Sequence, residues 1–177
     1  MIKGQHQGFT ALELIITMAI IAILLTMGVP AFQNYGWNLR MKTAMDMLQT
    51  DLKLARGHAI SHNSKAVICP ADDENGCSGK PAWQNGWMVF TDINGDRNKQ
   101  ASEPLLKYSG ALARLNINSS SSRTYLRFFP NGTAPGSNTT IRFCDRRGAA
   151  YSGAITISNS GRIRLQAPGS QPSENCP

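Results

Sequence analysis

The chain has 177 residues, a formal net charge of +7 and 41% hydrophobic residues, a length that favours one ordinary domain, or one domain with an appendage. The charge is uneven: residues 1–100 hold nine Lys/Arg against eight Asp/Glu, whereas residues 101–177 hold nine against three, and eight of those nine are Arg. A one-sided basic surface draws polyanions such as nucleic acid or acidic lipid headgroups. No nucleophile–base arrangement, Gly-rich phosphate loop or catalytic carboxylate pair is legible, so an enzyme is not expected.

The first eight residues carry one Lys and no acid, and from Leu14 to Val29 no residue is charged. That run is near the lower limit for crossing a bilayer, and Phe9 to Leu12 extend it into range. No small-residue cleavage site follows the apolar run, unlike an ordinary secretory signal. Glu13 is costly near the start of such a helix, roughly 2.5–3.5 kcal/mol on insertion scales. It lies either at the headgroup interface or against a positive group on a neighbouring copy, such as the amino group of a chain cut before Phe9.

Gly8-Phe9-Thr10-Ala11-Leu12-Glu13 resembles the class III signal of type IV pilins and type II secretion pseudopilins, and Pro30 matches the family's helix-kinking proline. The resemblance implies that a prepilin peptidase cuts after Gly8 and methylates Phe9, and that Glu13 sets register during filament assembly. It further implies inner-membrane anchoring with a periplasmic head before assembly, and a place in a surface pilus afterwards, among other pilin subunits. The expected organisation is a leader over 1–8, a transmembrane and assembly helix over 9–37 and a globular head over 38–177.

After Pro30 the helical pattern resumes: Met41, Met45, Leu48, Leu52, Ala55 and Ala59 recur at alternating spacings of four and three, one apolar stripe for packing on a sheet. A helix from Phe9 to about Ser61 spans roughly 75 Å, with Gly28 and Pro30 bending rather than ending it. Past Asn63 the texture is β. Strands are read at 66–69, 86–90, 114–117, 124–129, 141–144, 154–157 and 162–165, between turns such as Asn131-Gly132 and Ser160-Gly161. The predicted fold is α+β, a long N-terminal helix whose second half covers an antiparallel sheet.

Asp92, Asn94, Asp96, Asn98 and Glu103 occupy positions one, three, five, seven and twelve of a calcium loop. Position six, which needs Gly, is Arg97, and a strand leads in. The simpler reading is a set of Asx turns, and no cofactor is expected. His58 and His62 share a helix face without a third ligand and read as surface residues. Cys69, Cys77, Cys144 and Cys176 allow three disulfide connectivities. Pairing Cys69 with Cys77 closes a turn-rich loop and leaves Cys144 to tie down Cys176 in an oxidising compartment.

The candidate interface is the C-terminal arginine set. In Arg162-Ile163-Arg164 the guanidiniums share a face about 6.6–7 Å apart, and Arg142, Arg146 and Arg147 flank Cys144. Arg grips phosphate oxygens bidentately, giving sequence-independent, salt-sensitive affinity for DNA. Gly86 to Asp96 and Ser160 to Arg164 resemble the FimT minor pilins and GspH pseudopilins. FimT-like minor pilins of competent bacteria are associated with DNA uptake, and a Gly-Arg-x-Arg element is linked to DNA contact. That resemblance reaches Gly161, Arg162 and Arg164; Arg142, Arg146 and Arg147 rest on charge and on the proposed disulfide. The alternative is a structural subunit that primes pilus or pseudopilus assembly and touches only other pilins.

Overall fold

Thr10 opens a long helix, α1 (Ala11–Ser61), in a computed structural model that describes residues 10–170 and Cys176. Its hydroxyl oxygen accepts the Glu13 N–H at 3.2 Å, a capping bond for one of the helix's four unsatisfied N–H groups. Glu13 then sits in the first turn, where a carboxylate complements the helix dipole. The chain divides into two compact units, Met1–Asn38 and Leu39–Pro177.

In the first unit every helical residue from Ala11 to Tyr35 is exposed. A helix apolar on all sides, as here, belongs in lipid or inside a larger assembly, and α1 is long and apolar enough to cross a membrane. Thr17 and Thr26 donate their hydroxyls to the carbonyls of Leu14 and Ile23, both at 2.8 Å. Neither hydroxyl then needs water, which suits an apolar surrounding. The helix runs unbroken through Gly28 and Pro30.

The second unit packs the later part of α1 on two four-stranded antiparallel sheets. The first is ordered β3-β2-β1-β5 and the second β4-β6-β7-β8. The strands are β1 (Ala66–Pro70), β2 (Gly86–Thr91), β3 (Leu105–Gly110), β4 (Asn116–Asn118), β5 (Leu126–Phe128), β6 (Thr139–Cys144), β7 (Gly153–Ile157) and β8 (Ile163–Gln166). All six residues of the predicted stripe, with Ala44, are buried. They form one core with Ile68, Trp87 and Val89 of the first sheet and Ile141, Phe143, Ile155 and Ile157 of the second. Each large side chain so buried stabilises the head by about 1.5–3 kcal/mol. Asp51 is buried among them because two donors meet it: Trp87 Nε1 at 2.7 Å and Ser109 Oγ at 2.9 Å.

Three details depart from the expectation. The head has two sheets rather than one. Residues 105–110, outside the predicted strands, form the edge strand β3; Leu-Leu-Lys-Tyr-Ser-Gly does not alternate cleanly, and pairing with β2 defines it. Finally, β1 and β2 are buried along their whole length. Their second face carries its own small core of Val67, Cys69, Met88 and Phe90, with Cys77, Leu105, Tyr108 and Tyr125 packed against it.

Candidate nucleic-acid interface

The second sheet alternates as a half-buried sheet should. On β6, Ile141 and Phe143 face the core, so Thr140, Arg142 and Cys144 face away; on β7, Ile155 and Ile157 face the core, so Ala154 and Thr156 face away. Pairing carries this parity to β8, where Arg164 is opposite Thr156 and Gln166 opposite Ala154. Across the sheet, Thr140 is opposite Thr156 and Arg142 opposite Ala154; the two threonine hydroxyls are 3.2 Å apart. Asn118, opposite Arg142 on β4, completes the face. Arg142 and Arg164 are therefore on one surface, two strands and one pleat repeat apart, roughly 12 Å by strand geometry. No carboxylate occupies an outward position on β6, β7 or β8.

Arg162 precedes β8 and is exposed. It follows a tight turn in which the Gly161 N–H donates to Ser158 O at 2.8 Å and the Ser158 N–H to Arg162 O at 3.1 Å. Gly161 has φ of +75°, the left-handed region that glycine tolerates.

Arg146 and Arg147 divide in role. Arg146 is exposed and lines a shallow cleft of about 230 Å³ with Arg114, Asn116 and Asp145 beside Cys144. Arg147 is turned inward: Nε and Nη2 meet the buried Asp145 carboxylate at 2.7 to 3.1 Å. Its guanidinium also stacks on Tyr151, 4.2 Å from the ring centre. Tyr151 is thus covered by Arg147 on one side.

Cys69 is bonded to Cys77 and Cys144 to Cys176, with Cα–Cα distances of 5.6 Å in each. The second bond fixes the position of Cys176 at the end of β6, beside Arg146. Arg114, absent from the predicted set, joins the Cys144 end of the sheet through a left-handed backbone (φ +67°). No local sequence signal gives this placement.

The acidic loop uses its oxygens internally. Asp92 Oδ1 accepts the Arg97 N–H at 3.2 Å, Glu103 accepts those of Ile93 and Gln100 at 2.8 and 3.1 Å, and Asp96 accepts that of Asn98 at 2.8 Å. Arg127 lies 3.8 Å from Asp92 Oδ2 and donates to Gly95 O at 3.2 Å. Arg97 takes φ of +70° where a calcium loop turns on glycine. Among the described residues no three His, Cys, Asp or Glu are grouped to hold a metal ion. His58 is partly buried rather than a plain surface residue: Nε2 is 2.9 Å from Thr91 Oγ1, and its ring stacks on His62 at 4.0 Å. Burial, and then the neighbouring His62, lower its pKa below the usual 6.5. The processing residues Gly8 and Phe9 lie outside the described residues.

The family described as Type II transport protein GspH matches residues 44–161, and the prokaryotic N-terminal methylation motif matches residues 3–29. Over 46 residues the chain is 50% identical to prepilin peptidase-dependent protein D of Escherichia coli (strain K12), covering 26% of this chain and 30% of that one. Over 89 residues it is 34% identical to fimbrial protein EcpC of Eikenella corrodens, covering 50% of this chain and 54% of that one. The chain thus spans 30% and 54% of the length of these curated relatives. Among solved structures, the type IV minor pilin FimU of Pseudomonas aeruginosa aligns with a TM-score of 0.61 at 22% identity, over 79% of this chain and 97% of that one. The minor pseudopilin EpsH from the type 2 secretion system of Vibrio cholerae aligns at 0.53 and 13% identity, over 73% and 98%. These likenesses establish the pilin fold, a long N-terminal helix with an antiparallel β head.

Proposed function

The chain belongs to the family of the Type II transport protein GspH, and from that premise we propose that it is a minor pilin of a type IV pilus that binds extracellular DNA for uptake in natural transformation. Prepilin peptidase cuts between Gly8 and Phe9, the apolar part of α1 anchors the protein in the inner membrane, and the same helix then packs among other pilin subunits. There Glu13 pairs with the amino group of a neighbouring chain.

The observation that supports DNA binding most is the outward face of the second sheet. It carries Arg142 and Arg164 among threonine, asparagine and glutamine, with no carboxylate on β6, β7 or β8 to neutralise them. A rigid sheet holds the two guanidiniums apart at a fixed distance, so each meets a different phosphate. Arg162 and Arg146 extend the positive surface toward either end. Arg147, held on Asp145, positions the Cys144 turn rather than meeting DNA. Contacts of this kind read no bases, and one head binds in the range of about 10⁻⁴ to 10⁻⁶ M at physiological salt. Several heads on one filament raise this by avidity.

Binding of the purified protein to two unrelated duplexes at two salt concentrations tests the reading. Equal affinities that fall together as salt rises support it; absence of binding at low salt removes it. A second reading, a subunit that primes pilus or pseudopilus assembly without touching DNA, draws on the likeness to the pseudopilin EpsH. It predicts lost piliation or secretion on deletion, with full rescue by an Arg142→Ala/Arg164→Ala variant whose DNA binding is weakened.

A further inference from the structure

We infer that a DNA phosphate also seats in the cleft between α1 and the start of β8, held by Lys53, Arg56 and Arg162, so that the helix and the sheet grip one nucleic-acid strand together. This rests on the DNA-binding reading and adds to it a second structural element.

The cleft has a volume of about 480 Å³ and is lined by Lys53, Arg56, Gly57, Ile60, Arg162 and Ile163. Three of the six are cations and none is acidic. The ion pairs Arg127–Asp92 and Arg147–Asp145 involve none of the three. Positive charge gathered in a concave site with apolar walls, here Ile60 and Ile163, focuses the field on an entering anion.

The site is also held in shape. Lys53 and Arg56 are three residues apart on α1 and so share a helix face. Arg56 Nε donates to Gly132 O at 2.9 Å, which fixes the guanidinium plane while leaving its terminal N–H groups for a ligand. Gly161 packs against that same carbonyl, and a Cβ on it would come within 3.2 Å of Arg56 Nε. The turn before Arg162 is therefore docked onto the helix residue that shares the cleft. Gly57 contributes no side chain, and a Cβ there would meet nothing within 4 Å, so the wall beside it is open. Arg162 is two residues from Arg164, about 6.6–6.8 Å along a strand, so a DNA strand crossing the sheet face reaches the cleft at its next phosphate.

The test is the salt dependence of duplex binding by the full-length protein in detergent micelles. Lys53 is exposed and makes no hydrogen bond or ion pair within the described residues, so its replacement leaves the fold intact. Lys53→Ala is expected to weaken binding and to reduce the slope of log K against log salt by about 0.9, one phosphate contact on a duplex. Lys53→Arg keeps the slope. Lys107→Ala, an equal charge loss on the exposed edge of the other sheet, leaves it unchanged. An unchanged slope in Lys53→Ala, while Arg142→Ala/Arg164→Ala binds with a shallower slope, overturns the cleft and spares the DNA reading. Equal losses in Lys53→Ala and Lys107→Ala overturn it too, because net charge alone then accounts for both. Normal DNA binding with failed pilus assembly in Lys53→Ala overturns it in favour of an acidic group on a neighbouring subunit. No binding by the unmodified protein overturns both proposals.

Discussion

Gly161 packs directly against the carbonyl of Gly132, with φ of +75° and no room for a side chain. The contact joins the β7–β8 turn to the β5–β6 connection, and Arg56 closes the junction by donating to the same oxygen at 2.9 Å. The glycine that precedes Arg162 thus acts through the backbone, by letting the turn that launches β8 lie flat on the head.

Gly161→Ala should therefore destabilise the head by about 1–3 kcal/mol, from left-handed strain together with overlap at the Gly132 carbonyl. Chemical denaturation measures the loss. DNA binding should fall as well, because the start of β8 shifts and carries Arg162 and Arg164 with it. A stable Gly161→Ala variant with full affinity would mean that the junction does not position the arginines.

Arg147→Ala should cost about 3 kcal/mol, because it strands the Asp145 carboxylate, which is fully buried. Arg147→Lys should recover only part, since an ammonium cannot make the forked contact or stack on Tyr151. Thermal denaturation of the three proteins separates these outcomes. An Arg147→Ala variant as stable as the parent, yet unable to bind DNA, would instead make Arg147 a direct phosphate contact.

Glu103→Gln should cost about 2 kcal/mol, because an amide NH₂ would replace one of two oxygens that each accept a backbone N–H. Millimolar calcium or a chelator should leave the melting temperature unchanged, since Asp92, Asp96 and Glu103 already hold backbone donors. A clear rise in Tm with calcium, abolished in Asp92→Ala, would contradict the turn reading.

Stability should fall as pH drops through the window just below 6.5. The folded-state pKa of His58 is depressed, by burial first and by His62 second. The unfolded chain therefore binds the proton first, and folding free energy rises with pH until both forms are neutral. His58→Gln should flatten this dependence, measured as denaturation free energy on either side of the unperturbed histidine value, about 6.5. An unchanged pH profile in that variant would assign the effect to other groups.

The features legible in the sequence are those set by neighbours along the chain. The six-residue stripe from Met41 to Ala59 is a helical period, and every member is buried. The apolar run after Thr10 is a matter of composition alone, and the N-terminal motif lies within a few residues. The helix start is local too, since Thr10 to Glu13 has the Thr-x-x-Glu spacing of a capping box. What stayed hidden depends on pairing between distant segments. Leu105–Gly110 is a strand because β2 lies beside it, and the division into two sheets follows from pairing order. Arg147 reads as one more exposed cation until the Asp145 turn folds it inward. Lys53 and Arg56 meet Arg162 only because Gly161 and Gly132 come together, and no periodicity records that contact.

The measurement that bears most directly on the DNA reading is the salt titration of duplex binding by the intact protein beside its Arg142→Ala/Arg164→Ala variant. Two unrelated sequences should fall on one steep line of log K against log salt. In the variant the slope should be shallower by about 1.8, because two phosphates no longer meet a guanidinium on the sheet face. Identical slopes for the two proteins, or binding that depends on duplex sequence, would contradict it.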